Sequence, residues 1–142
     1  MARSNLANDQ GLDTTVVVRL LTGEPPTQAW RAVALLQEAH EAGKVPVVSD
    51  LVVTEAYYAL HTQYGVPKQE ALRSLLDMFE SGAVAPEPGG CSVEALRASL
   101  SGTRKPGFVD RLIHAQYERL ERRLVSFERA ASKLKNAIVL KA

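Results

Sequence analysis

The stretch "GLDTTVVVRLLTG", residues 11–23, places the carboxylate of Asp13 directly in front of a run of valines and leucines. Burying an unpaired charge costs several kcal/mol, so Asp13 needs a cation, a capping role or another partner. By β-propensity alone, "TTVVVRLL" favours a strand, whereas Asp13 acting as an N-cap favours a helix from Thr14 onward. The choice between the two depends on the rest of the chain.

Helical and strand-like segments alternate along that remaining chain. Apolar residues at helical spacing, between starting Pro, Ser or Asp residues and closing glycines, predict helices over residues 25–44, 50–65, 67–82, 91–102 and 108–123. Short apolar runs predict strands over residues 45–49, 83–85, 124–127 and 137–140. This alternation is typical of an α/β fold in which helices cover both faces of a parallel sheet.

Several side chains have predicted places within these elements. Trp30 is expected in the core, with core packing favoured over a role in anchoring a partner. In the helix over 108–123, Phe108, Leu112 and Leu120 are expected to face inward. Ser92 is expected to cap the helix that follows it.

Composition indicates an ordinary globular protein, 46% hydrophobic and 23% charged, with residues 1–142 forming one domain and residues 1–10 loosely ordered. The single Cys91 cannot form an internal disulfide. The opening "MARSNLANDQ" lacks the apolar segment of a signal peptide, and no run approaches the roughly 18 apolar residues of a membrane span. We therefore expect a soluble, cytoplasmic protein with no membrane association.

Charge is unevenly distributed along the chain. Residues 1–96 carry six Lys and Arg against twelve Asp and Glu, whereas residues 97–142 carry eleven against four. A basic final third is compatible with a polyanionic partner such as nucleic acid, and equally with solvated helix faces.

Four acids lie just after predicted strands or in the helices that follow them: Asp13, Glu55, Asp110 and Glu128. Ligands of open parallel sheets bind beyond the carboxyl ends of the strands, so these acids are candidates for one site. Each also has a structural explanation: a cap for Asp13, the helix dipole for Asp110 and simple exposure for Glu128. Glu55 stands out because it interrupts an apolar helix face.

Such a set of carboxylates suits a hard divalent cation. Several carboxylates held close together repel one another, and a divalent ion relieves that repulsion. Mg²⁺ and Mn²⁺ prefer oxygen ligands. Because these ions activate water and stabilise charge on a phosphodiester, the pattern points to a nuclease.

Four blocks of the sequence resemble PIN-domain ribonucleases, in particular the toxin halves of VapBC-type toxin-antitoxin pairs. They are "LDTTVVVRLLTG", "VSDLVVTEAYYALHTQYGV", "GFVDRLIHAQ" and "LVSFERAASKL", and the resemblance runs from about residue 11 to 140. It places Asp13, Glu55, Asp110 and Glu128 on the four acidic positions of that family. It also ends the first strand near Asp13 and puts the valines in a helix.

The resemblance implies a three-layer α/β/α domain with a central parallel sheet of four to five short strands. It further implies a Mg²⁺- or Mn²⁺-dependent endoribonuclease with an RNA substrate, a small cognate antitoxin protein and a homodimer. In that reading Asp13, Glu55, Asp110 and Glu128 are the catalytic and metal-binding residues.

The chain departs from the family pattern at several positions. Thr15 replaces the usual Asn, Glu128 replaces the usual Asp, and Gly107 and Ala130 stand where relatives carry further acids. Metal binding would then rest mainly on Asp13, Glu55 and Asp110. These departures leave open a degenerate PIN fold that binds RNA or protein without cutting it, and a generic interaction domain whose acids are coincidental.

Basic residues flank the acids and are candidates for contacting RNA phosphates: Arg19, Arg104, Lys105 and Arg111. Plain solubility explains them equally well. His114, four residues beyond Asp110, would orient a substrate or simply occupy an amphipathic helix position. His40 and His61 show no metal-ligand spacing and are expected at the surface.

Overall fold

The structure is a computed structural model that describes residues 9–142. Its α-helices are α1 (Thr14–Thr22), α2 (Pro26–Glu41), α3 (Asp50–Thr62), α4 (Lys68–Glu80), α5 (Ser92–Ser101) and α6 (Phe108–Arg119). Its strands are β1 (Val47–Val48), β2 (Ala85–Pro86), β3 (Val125–Ser126) and β4 (Ile138–Val139), with a 3₁₀ helix over Arg129–Lys133.

The valine run after Asp13 is helical. Asp13 is the N-cap of α1, and its Oδ1 accepts a hydrogen bond from the Val16 N–H at 3.1 Å. Gly23 ends the helix in the left-handed conformation, at φ +72°. Val17 and Val18 are buried. The cap and the burial of one helix face therefore outweigh the β-propensity of the valines.

The strands form two separate parallel pairs within the described residues. β1 pairs with β2, with Val47 opposite Ala85, and β3 pairs with β4, with Val125 opposite Ile138. The segment before Asp13 adds only a single parallel bridge, from Gly11 to Val47. The α/β class is confirmed, but the single central sheet of four to five strands is not found.

Two features of the sequence explain the short strands. Pro86 in β2 has no N–H to donate to a further strand. The segment "NDQG" before Leu12 is polar and offers no apolar run to bury in a sheet centre. Helices consequently supply most of the core.

The core lies between α1, α3, α4, α5 and α6. Its most buried side chains are large aliphatic residues, namely Val17, Val48, Val53, Leu75, Val84 and Leu96. Trp30 contradicts its predicted core position, because it is 72% exposed; α2 instead buries its small residues Ala29, Ala32 and Ala39. Leu120 is likewise exposed rather than inward, because α6 ends at Arg119.

Asp50 joins three helices. Ser49 caps α3 by accepting the Val52 N–H, which leaves the Asp50 carboxylate free to reach other elements. It accepts hydrogen bonds from the backbone N–H groups of Cys91 and Ser92, from the Ser92 hydroxyl and from Gln116 Nε2 of α6. The predicted cap of α5 by Ser92 is therefore wrong, since the acceptor comes from α3.

The N-terminal prediction falls largely outside the described residues, because residues 1–8 are not among them. Gln10 is described, and its carbonyl accepts a hydrogen bond from the Val47 N–H at 2.9 Å. Among the described helices, none combines the length and the apolar character needed to cross a membrane.

Candidate functional site

A pocket of about 920 Å³ lies where α3, the start of α4, the loop before α6 and the end of β3 meet. Most of its wall comes from segments that the sequence places far apart, so only the tertiary fold creates it. Its charged lining residues are Lys68, Arg104, Lys105, Asp110 and Glu128, and His61 lines it as well.

Two of the four predicted acids, Asp110 and Glu128, line this pocket together. Asp110 lies in the first turn of α6, and Glu128 follows β3. Both are exposed, and neither carboxylate accepts a hydrogen bond from the residues that the structure describes. Gly107 and Ala130, the positions at which relatives were expected to carry further acids, line the same pocket.

The other two acids, Asp13 and Glu55, meet at the contact between α1 and α3. Glu55 Oε1 accepts a hydrogen bond from Thr14 Oγ1 at 2.7 Å, one residue away from Asp13. Asp13 Oδ1 accepts one from Thr15 Oγ1 at 2.7 Å. That hydroxyl, and next the Val16 N–H, lower the pKa of Asp13 below its ordinary value, so Asp13 is charged at neutral pH.

Asp13 and Glu55 lie outside the pocket that Asp110 and Glu128 line. Glu55 and Tyr57 are two residues apart and hence separated by about 200° around the helix axis. Tyr57 lines the pocket, and neither Glu55 nor Asp13 does. Within residues 9–142, no group of three or more His, Cys, Asp or Glu side chains is arranged to hold a metal ion. The structure thus assembles the predicted acids as two pairs.

Three cations line the pocket beside Asp110 and Glu128. Arg104 and Lys105 come from the loop before α6, and Lys68 begins α4. None of the three has an ion-pair partner in the part of the chain that the structure describes. Sequence reasoning missed Lys68. The sequence did contain an indication of its role. A positive charge in the first turn of a helix is unfavourable beside the helix dipole, so Lys68 is expected to have a function other than stabilising α4.

Arg111 and Arg19, the other predicted phosphate contacts, bind protein groups. Arg111 donates from Nε to the Pro106 carbonyl at 2.9 Å and from Nη2 to the Thr103 carbonyl at 3.1 Å, which holds the loop that carries Arg104. Arg19 Nε donates to Gln28 Oε1 at 2.7 Å and so ties α1 to α2. Neither residue lines the pocket.

Two aromatic rings form the floor of the pocket. Tyr57 and Phe108 are buried and pack edge to face, with ring centroids 5.3 Å apart. Burial raises the pKa of the Tyr57 hydroxyl, so it stays protonated at neutral pH. The floor is therefore apolar and uncharged beneath a rim of opposite charges.

The two histidines on α3 and α6 hold backbone carbonyls. His61, expected at the surface, is half-buried in the pocket wall, and its Nδ1 lies 2.9 Å from the Val66 carbonyl oxygen. His114 Nε2 lies 2.8 Å from the Lys135 carbonyl oxygen and 3.7 Å from Glu118 Oε1. His114 thus anchors the C-terminal segment to α6 and stays outside the pocket.

The chain matches the protein-family model of the PIN domain over residues 12–137. The matched range includes all four acids and the whole charged rim of the pocket. No curated protein and no solved structure matches the chain significantly.

Proposed function

The chain belongs to the PIN-domain family, and on that premise we propose that it is a divalent-metal-dependent endoribonuclease, the toxin of a type II toxin-antitoxin pair. PIN domains are generally nucleases that use divalent metals. Hydrolysis of nucleic acid is thus the family's general activity. The choice of RNA, the internal position of the cut and the toxin role are our proposal.

The pocket beside α6 carries this proposal. It holds three cations without ion-pair partners and two carboxylates without hydrogen-bond donors among the described residues. Unpaired Lys and Arg side chains suit the phosphates of a nucleic acid, because they replace its counterions. Exposed carboxylates beside them suit groups that act at a phosphodiester.

Carboxylate oxygens are the type of ligand that a divalent cation prefers, and two carboxylates are enough protein ligands for one Mg²⁺. Mg²⁺ usually keeps several waters and takes one or two protein carboxylates together with substrate phosphates. We propose Asp110 and Glu128 as the donors from the pocket and Asp13 and Glu55 as the donors from the α1–α3 contact. Mg²⁺ or Mn²⁺, when bound, would supply activation of water and neutralisation of charge on the phosphate.

The protein groups around the pocket have separate tasks in this proposal. Arg104, Lys105 and Lys68 bind backbone phosphates, and Arg111 keeps the loop of Arg104 in place through its two carbonyl contacts. The buried rings of Tyr57 and Phe108 exclude water from the floor and offer an apolar surface to a base or ribose. Because the cations lie at the rim and the floor is apolar, a bound nucleotide would place its phosphate at the rim and its base or ribose on the floor.

An RNA cleavage assay tests the assignment. Purified protein, freed of any partner, should cut a labelled structured RNA in Mn²⁺ and not in EDTA. Asp13→Asn and Asp110→Asn should abolish cutting. Asp77→Asn, which alters an exposed aspartate of α4 outside the pocket, is the matched control and should keep full activity.

The assay tests which acids are needed for cutting as well as whether the protein cuts RNA. Asn is as good a helix cap as Asp, so Asp13→Asn removes the charge and keeps α1 capped. Activity that survives both Asp13→Asn and Asp110→Asn would overturn the acid assignment. Loss in the control as well would point to general damage.

A second function, a PIN fold that binds RNA without cutting it, is favoured by two observations. The pocket has Gly107 and Ala130 at positions where relatives were expected to carry acids, and no described group reaches three metal ligands. A titration of Mn²⁺ during thermal unfolding separates the two functions. An ion that binds only the folded protein must raise its melting temperature. No shift at millimolar Mn²⁺, with RNA still bound, would support the binding module.

Exposed apolar side chains support the proposed partners, a homodimer and a small antitoxin protein. Trp30 and Val33 share one exposed face of α2, and Phe127 after β3 is 69% exposed. Single exposed apolar residues are ordinary, but Trp and Phe are enriched at interfaces. Light scattering after size exclusion should give a dimer mass for the wild type, and Trp30→Ser or Phe127→Ser should reduce it. An unchanged monomer throughout would contradict the dimer.

A further inference from the structure

His61 occupies a place in the pocket that none of the proposed roles uses. It lies in the last turn of α3, half-buried, and lines the same cavity as Lys68, Arg104 and Asp110. Neither the acids nor the cations of the rim bind it among the described residues. A neutral imidazole can donate a hydrogen bond from one ring nitrogen and accept one at the other.

The protein sets the tautomer of this imidazole. Nδ1 lies 2.9 Å from the Val66 carbonyl oxygen, which only accepts hydrogen bonds, so Nδ1 carries the proton. Val66 is held in turn by the bond from its N–H to the Leu60 carbonyl, at 2.9 Å. The turn between them requires the left-handed conformation of Gly65, at φ +67°. The ring is therefore oriented by a tight, hydrogen-bonded turn.

With Nδ1 protonated, Nε2 of the neutral ring is an acceptor. It has no donor partner among residues 9–142. The charged groups of the pocket bind different parts of a nucleic acid. Lys68, Arg104 and Lys105 attract its phosphates, whereas Asp110 and Glu128 repel them. An acceptor among phosphate-binding cations is suited to a hydroxyl donor on the sugar that joins those phosphates.

We propose that His61 Nε2 accepts a hydrogen bond from a ribose 2′-hydroxyl and makes the pocket prefer RNA to DNA. The 2′-hydroxyl is the group by which a protein distinguishes the two polymers. This inference rests on the proposed function, namely that the pocket binds RNA. His61 is a specificity-determining residue in this scheme and takes no part in bond cleavage.

The test compares binding of single-stranded RNA, DNA and 2′-O-methyl RNA of one sequence, in EDTA so that nothing is cut. Fluorescence anisotropy gives each Kd. Asn places its amide near Nδ1 and nothing near Nε2, whereas Gln places an oxygen near Nε2. His61→Asn should lower the preference for RNA over DNA by about two- to tenfold, the worth of one hydrogen bond. His61→Gln should restore part of it, and His40→Asn, at an exposed histidine of α2, should change nothing.

One further result completes the test. The wild type should bind 2′-O-methyl RNA as it binds DNA, because the methyl group removes the hydroxyl donor that His61 would accept. An unchanged RNA preference in His61→Asn, or equal weakening of RNA and DNA, would overturn this inference alone. If the wild type binds neither polymer, the proposed function fails, and the inference fails with it.

Discussion

Asp13 shows how one residue serves structure and chemistry at once. Its Oδ1 accepts the Val16 N–H and so starts α1, and the same carboxylate is one residue from the contact between Thr14 and Glu55. The hydrogen bonds from the Thr15 hydroxyl and the Val16 N–H both go to Oδ1. A cap and a ligand are therefore compatible functions of this side chain.

Two substitutions distinguish the capping function of Asp13 from the function of its charge. Asp13→Ala should lower the free energy of unfolding by about 1 kcal/mol, because the Val16 N–H loses its acceptor. Asp13→Asn should change it by only a few tenths, since an amide oxygen caps equally well. Urea denaturation followed by circular dichroism measures both. Equal losses in the two variants would show that the charge, and not the cap, stabilises α1.

At the scale of elements, the contact between α3, α5 and α6 depends on Asp50. Partial burial raises the pKa of its carboxyl, but the hydrogen bonds from Ser92, Gln116 and the backbone N–H of Cys91 lower that pKa more. The result is a pKa below the ordinary value of 3.8. Gly90 is needed beside this carboxylate, because a Cβ there would lie 2.9 Å from Asp50 Oδ1.

Replacing Asp50 by Asn should destabilise the protein by about 2 kcal/mol at neutral pH, because an amide has one acceptor oxygen and the NH₂ that replaces Oδ2 cannot accept from the Cys91 N–H and Gln116 Nε2. A folded-state pKa below the unfolded one adds stability above the unfolded pKa, and this stability is lost as the pH falls through the folded pKa. The difference between wild type and Asp50→Asn should therefore narrow below about pH 4.

Urea denaturation at several pH values measures this difference. Asp77→Asn, at an exposed position of α4, is the matched control and should show no such pH dependence. A constant gap between wild type and Asp50→Asn down to low pH would contradict the role assigned to the ionised carboxylate.

At the scale of the whole molecule, the excess positive charge of residues 97–142 is only partly directed at the pocket. Arg104 and Lys105 from that region line it, joined by Lys68 from the acidic part of the chain. Arg111 and Arg123, also from the basic region, donate instead to backbone carbonyls. Net charge alone thus overstates the number of cations available to a polyanion.

The salt dependence of RNA binding counts the cations that contact phosphates. For single-stranded RNA, each such cation contributes about 0.7 to the slope of log K against log salt concentration. Arg104→Gln, Lys105→Gln and Lys68→Gln should each reduce the slope by about that amount. Arg19→Gln, which loses only its bond to Gln28, should leave it unchanged. Anisotropy titrations in EDTA at several salt concentrations give the slopes, and a reduced slope in Arg19→Gln would contradict the assignment.

Local patterns in the sequence determined much of this protein. Helix boundaries, the cap at Asp13 and the short strands over 47–48, 125–126 and 138–139 follow from caps, glycines and spacing within a few residues. These features can be predicted from the sequence because they depend on interactions between residues that are close together in the chain. The family resemblance also settled that the valine run is helical, where propensity alone favoured a strand.

Only the tertiary structure decided which side chains share a site. It placed Asp110 and Glu128 in one pocket and joined Glu55 to Thr14 beside Asp13 elsewhere. It also brought Lys68 and His61 to the pocket wall, which sequence reasoning did not foresee. Such groupings depend on how helices pack through buried residues far apart in sequence, because that packing fixes which side of each helix faces a given site. The sequence alone therefore named the chemical groups, and the packing of the core determined which of them can act together.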